Sequence, residues 1–117
     1  MSIEFQTLSR GYFEKIMINA DSLIFEKKQR GETEITSSLK SSRRQWKSVI
    51  SDLSSIVLDS VPILQSPTNK RTYDGARHSE LIINTDQKSF RHQFDDEAPH
   101  AKLLPLLNCL IRLKNEF

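Results

Sequence analysis

FEKIMINADSLIFEKK, Phe13 to Lys28, sets two runs of β-forming residues on either side of NADS, a cluster of turn residues. With Ala20 and Asp21 as the loop, Ile18 faces Leu23 and Ile16 faces Phe25. The same register sets Glu14 against Lys27 and Lys15 against Glu26 as pairs of opposite charge. A slip of one residue would scatter both patterns, so the stretch specifies a hairpin and its register together.

Working outward, SIEFQTL alternates Ile3 and Phe5 with polar neighbours, and a connection around Ser9 to Tyr12 brings them beside Ile18 and Ile16. On the other side, QRG places Gly31 third in a three-residue loop, the position that takes a positive φ. That loop predicts Phe25 opposite Ile35 and Lys28 opposite Glu32. A four-strand meander follows. Ser42 and Gln45 then fit a capping box, and Trp46, Val49, Ile50, Leu53 and Val57 recur at helical spacing, which predicts a helix ending before Pro62.

Residues from Ser60 to Arg77 carry Pro62, Pro67, Asn69 and Asp74-Gly75 and read as a long connection with one short strand around Ile63. HSELIIN and KSFRHQF flank TDQK as a second hairpin. With Asn84 opposite Ser89, Leu81, Ile83, Phe90 and Phe94 share one face, and Glu80, Arg91 and Gln93 the other. The last segment, PHAKLLPLLNCLIRLKNEF, puts Leu103, Leu104, Leu107, Leu110 and Ile111 on one stripe. Pro99 suits a first helical turn, and Pro105 either kinks the helix or makes the stretch before it a loose first turn.

The predicted architecture is one α+β domain over residues 1–117. It has an antiparallel sheet of about six strands (four-strand meander, helix, β-hairpin, C-terminal helix) with two helices packed on one face, because a sheet with one apolar face needs a covering layer. The chain length of 117 suits one domain, and 37% apolar residues suffice for a core.

Composition narrows function. Seventeen Lys+Arg against 15 Asp+Glu give a net charge of +2, too weak a field to imply a polyanion. The basic clusters (Lys40, Arg43, Arg44, Lys47; Lys27, Lys28, Arg30) are interleaved with Glu14, Glu26, Glu32 and Glu34, so nucleic acid is not the expected partner. The single cysteine, Cys109, lies among leucines and reads as a buried, inert thiol. No run of about 18 apolar residues is present to span a bilayer, and Met1 leads straight into SIEFQTLSRG, so the expected location is the cytoplasm.

His78, His92, Asp95, Asp96 and His100 invite a metal or acid/base assignment. The hairpin register sends His78 and His92 to opposite faces, so neither a metal nor a cofactor is expected. His92 then reads as a half-buried ring whose replacement by Leu is tolerated. Asp95, Asp96 and Glu97 read as acids before a helix start. No Gly-x-Ser-x-Gly elbow or phosphate-cradling loop occurs. The residues without a packing role in the pattern lie in SRGYF and SPTNKRTYDGARH. From these, Arg10, Tyr12, Arg71, Tyr73, Asp74, Arg77 and His78 form the candidate partner-binding set, tyrosine and arginine being the types that anchor interfaces.

SRGYF, QWKSVI, SPTNKRTYDGARHSELII and FDDEAPHAKLLPLL together resemble a group of small bacterial proteins of the Bacteroidetes type, to which no activity is attached. The resemblance spans most of the chain and implies an α+β fold with an antiparallel sheet. In order of elements the chain is also similar to the emfourin-like inhibitors of bacterial metallopeptidases, which implies a binding module rather than an enzyme. The expected function is non-enzymatic binding of a protein, as a peptidase inhibitor or accessory. The rival is a metal-dependent hydrolase using residues such as His78 and Asp95.

Overall fold

The computed structural model describes residues 1–73 and 75–117; Asp74, one of the candidate set, lies outside them. Its strands are β1 (Ser2–Ser9), β2 (Tyr12–Asn19), β3 (Ser22–Gln29), β4 (Ile35–Lys40), β5 (His78–Asn84) and β6 (Ser89–Asp95). Two helices, α1 (Arg43–Ser54) and α2 (Leu104–Lys114), complete the α+β fold. All six strands join one antiparallel sheet in the order β4-β3-β2-β1-β5-β6, so the second hairpin docks on β1 and leaves β4 and β6 as edges.

The register read from Phe13–Lys28 is the one observed: Ile18 faces Leu23, Ile16 faces Phe25, Glu14 faces Lys27 and Lys15 faces Glu26. The side chain of Asn19 closes the turn by accepting the amides of Asp21 (2.8 Å) and Ser22 (2.7 Å). Ile3 and Phe5 lie beside Ile18 and Ile16 as expected, and Asn84 faces Ser89. The β3–β4 pairing differs from expectation by two residues. Phe25 faces Ser37, and Ile35 faces Lys27. Gly31 does take φ +81, within a turn closed by the Glu32 amide on the Gln29 carbonyl, but Thr33 and Glu34 lengthen the loop before β4 begins. A two-residue shift leaves every side chain on its original face, so alternation alone cannot expose it.

The inner face of the sheet carries Ile3, Phe5, Ile16, Ile18, Leu23, Leu81, Ile83, Phe90 and Phe94, all buried. Phe5 and Phe94 stack at 6.0 Å across β1, β5 and β6. Helix α2 lies over β1 and β2 with Leu106, Leu107, Leu110 and Leu113 inward, and α1 packs against α2 through the same core, which Val49 and Leu53 enter. Cys109 is buried there, 3.7 Å from the Ser48 hydroxyl.

The Ser42–Gln45 capping box forms as read. The helix stops at Ser54, however, and Val57 is 71% exposed rather than part of the stripe. The short strand expected at Ile63 is instead the end of a 3-10 helix, Leu58–Ile63, which buries Val61. At the C-terminus, Pro99 precedes the helix, and Pro105 sits in the first turn of α2, where its missing N–H costs nothing. Ala101–Leu103 before it form the loose turn. Starting the helix at Leu104 rotates that residue off the buried stripe.

This placement predicts a contrast between two adjacent-looking leucines. Leu107→Ala should lose about 2–5 kcal/mol of unfolding free energy in urea titration. Leu104→Ala, at a 39% exposed position, should stay within about 0.5 kcal/mol of wild type. Equal losses would contradict the helix phase.

Candidate partner-binding site

Asp95 closes β6, where alternation places it on the outer face of the sheet, directly opposite His78. It is nevertheless only 2% exposed, because the segment after the Leu58–Ile63 turn folds over it. Its Oδ2 accepts the Thr68 hydroxyl and the Lys70 amide (2.8 Å). Its Oδ1 accepts the Arg71 amide (3.1 Å) and Arg71 Nη1 (2.9 Å). Burial alone would raise the carboxyl pKa. The donors from Thr68, Arg71 and Lys70 outweigh it and hold the group well below the usual carboxylate range. Asp95 is therefore not a helix-start acid; α2 begins nine positions later, at Leu104, and the carboxylate caps the 3-10 turn Lys70–Thr72 from across the fold.

Asp96, with φ +48, turns the chain away from β6. Aspartate tolerates this conformation better than most residues. Its Oδ1 accepts the Arg77 amide (2.9 Å), its own amide donates to the Arg77 carbonyl (3.1 Å), and its carbonyl accepts the buried Ser79 hydroxyl. Since Ser79 spends its proton there, Thr7 is the donor in the 2.8 Å Thr7–Ser79 contact. Successive aspartates thus pin both ends of the 68–77 segment against the sheet.

The candidate residues divide accordingly. Arg10, Arg71, Arg77 and His78 line one hollow of about 500 Å³, walled also by Asp96 and Ala76. A second hollow of about 350 Å³ shares Arg71 and His78 and runs onto the outer face past Leu8, Gln6, Glu80 and Gln93. Arg10 is exposed in the β1–β2 turn and His78 exposed at the start of β5. Arg71 has only 13% of its side chain exposed and is committed to Asp95, so its substitution acts on the fold as well as on any partner. Tyr73, 78% exposed, stands beside the hollow without lining it.

Tyr12 belongs to a neighbouring cluster on the inner face. Its hydroxyl donates to Glu14 Oε2, and the Lys27 ammonium (5.9 Å) and the Arg77 guanidinium (5.7 Å) both lie over its ring. Burial first, then the bond and the charge of Glu14, push the phenol up to about 12. Glu14 is buried and takes Lys114 Nζ at 2.6 Å, tying the end of α2 to β2. Burial would raise its pKa; Lys114 and Tyr12 bring it below the ordinary value.

His92 faces the core between Phe94 and the 99–100 segment, on the opposite side of the sheet from His78. It is fully rather than half buried, and its Nε2 accepts the His100 amide at 3.0 Å. The ring is therefore not the half-buried one that tolerance of Leu assumed, and His92→Leu is expected to strand that amide at about 1–3 kcal/mol. Burial foremost lowers its pKa, which keeps the ring a neutral acceptor. Among the described residues, no group of three or more His, Cys, Asp or Glu side chains is placed to hold a metal ion. His78 and Asp95 do face each other, but both oxygens of Asp95 are occupied.

Sequence reasoning missed Asp95 and Asp96 as the residues that shape the hollow. The one available signal was the concentration of donors in TNKR, Thr68 to Arg71, which needs a carboxylate somewhere. No family model, curated protein or solved structure matches the chain. No helix is long and apolar enough to cross a membrane among the described residues.

Because the folded pKa of Asp95 lies below its unfolded value of about 3.9, its contribution is complete above that pH and is lost as pH falls through the folded pKa. Asp95→Asn should lower the melting midpoint by several degrees at neutral pH. It should also flatten the decline of the midpoint in acid, leaving the slope due to Glu14. An unaltered acid decline in the variant would contradict the assignment.

Proposed function

We propose that the chain is a non-enzymatic protein-binding module, of inhibitor or accessory type, that receives an acidic, extended segment of a partner in the hollow between the β1–β2 turn and the 71–78 segment. The observation that carries this reading is the convergence of Arg10, Arg71, Arg77 and His78 on one depression whose walls are held by Asp95 and Asp96. Arg71 and Arg77 each have a carboxylate partner in the chain, at 2.9 and 3.7 Å, whereas Arg10 and the exposed Tyr73 remain presented to solvent.

A depression built this way suits recognition more than chemistry. Among the described residues its carboxylates are engaged in positioning the chain, and no nucleophile is paired with a base in it. The held guanidiniums lose little conformational freedom on meeting a carboxylate, which favours planar, two-point contacts. A partner carboxylate would pair first with Arg10 and then share Arg77 with Asp96. Tyr73 would supply rigid apolar area at the rim.

Selection of displayed random peptides on the full chain tests this. The enriched peptides should be rich in Asp and Glu, and their binding should fall with added salt. Arg10→Glu should abolish it and Tyr73→Ala should cost more than about 1 kcal/mol, while Lys102→Glu, an equal charge change elsewhere, leaves it intact. Enrichment without acidic bias, or binding indifferent to Arg10→Glu, would overturn the proposal.

A further inference from the structure

We propose that β4 is an interface between two copies of this chain, their free edges paired antiparallel about a two-fold axis at Ser37. Strand β4 is one edge of the sheet, and all its residues except Ser37 are exposed. It carries no proline and no bulge, and its pairing with β3 is unbroken from Ser22–Lys40 to Lys27–Ile35. Natural sheets usually blunt such an edge, since its unpaired amides and carbonyls are a template for another strand.

The direction of those amides follows from two hydrogen bonds at the strand ends. The Arg30 amide donates to the Gly11 carbonyl, and the Ser41 amide donates to the Asp21 carbonyl. In an antiparallel ladder each residue turns its N–H and C=O to the same side, alternating along the strand. Even-numbered residues of β3 therefore serve β2 and odd-numbered ones serve β4. In β4 the odd residues bond to β3, which leaves Thr36, Ser38 and Lys40 turned outward.

Two copies can pair only in registers that oppose outward residues to outward residues. Centring the axis on Ser37 satisfies this, setting Thr36 against Ser38 of the second copy. It also stacks Ile35 on Leu39 twice, on the inner face, where these side chains are 47% and 43% exposed in the single chain. On the outer face it sets Glu34 against Lys40 twice. Glu34 already lies 3.7 Å from Lys28, so the pairing would extend a row of alternating charge, Lys28, Glu34, Lys40, across the junction. The neighbouring permitted registers, centred on Thr36 or Ser38, break the Ile35–Leu39 and Glu34–Lys40 matches. Ser37 on the axis is small, and behind it Phe25, against which Phe117 packs at 5.6 Å, continues the apolar surface.

Sedimentation of the full chain over a concentration series up to millimolar reads this out. Wild type should reach a dimer. Ser38→Pro deletes only an outward N–H and should sediment as a monomer with its melting midpoint nearly unchanged. Glu34→Lys or Lys40→Glu alone places like charges at both contacts and should weaken the dimer about tenfold. An equimolar mixture of those two variants restores opposite charges throughout and should recover the dimer as a heterodimer. A wild type that stays monomeric overturns the proposal, as does a dimer that survives Ser38→Pro or a mixture that associates no better than its components. Should Ser38→Pro fail to fold, the charge-exchange result decides alone.

Discussion

A carboxylate taken out of water must be met by donors, and at Asp95 four of them come from Thr68 to Arg71. That requirement shapes one end of the molecule. Because the donors include two backbone amides, the chain itself is held, and with it the direction in which Arg71 leaves it. The held segment brings Ala76 and Arg77 down beside the β1–β2 turn, where Asp96 fastens the Arg77 amide. The basic hollow is thus a consequence of satisfying two aspartates, which is why it lies where strand ends meet a loop rather than in the core.

The sheet supplies the frame for this. Its inner face is continuous aliphatic and aromatic surface from Leu23 to Phe94, covered by α2 and, behind it, α1. Its outer face is covered at Asp95 by the segment that carries Thr68 to Arg71, and elsewhere, among the described residues, is built in transverse rows: Ile24, Met17, Glu4, Ile82 and Arg91 in one, Glu26, Lys15, Gln6, Glu80 and Gln93 in the next. Opposite charges pair within and between these rows: Lys15 lies 3.9 Å from Glu26 along the second, and Arg91 of the first lies 2.6 Å from Glu80 of the second. Ile82, between Glu4 and Arg91 in the first row, is only 3% exposed. A sheet that can leave one face to water in this way needs only one layer of helices.

Much of this was legible in the sequence where two independent patterns had to agree. For β2 and β3, apolar matching and charge matching select the same register, and the Asn19 turn supports it. For β3 and β4 the register rested on a three-residue loop ending at Gly31, and face alternation, blind to a slip of two, could not reveal that Thr33 and Glu34 lengthen that loop. Pro99 and Pro105 were both compatible with a helix start, and the choice between them depends on which leucines meet the sheet. Asp95 was the largest miss. Its strand position says exposed, and only a segment 24 residues earlier in the chain makes it buried. The partner-binding set was chosen as residues lacking a packing role; Arg10, Arg77 and His78 do meet at the hollow, whereas Arg71 proves to be structural as well.

The central claim is that Asp95 holds the Lys70–Thr72 turn and so shapes the hollow. Amide hydrogen exchange, residue by residue, measures it most directly, because the Lys70 and Arg71 amides have the Asp95 oxygens as their acceptors. In the wild type these two amides should exchange far more slowly than unstructured ones. In Asp95→Ala they should approach the unprotected rate while the amides of β1 to β3 keep their protection. Fast exchange at Lys70 and Arg71 in the wild type, or protection that persists in the variant, would contradict the account.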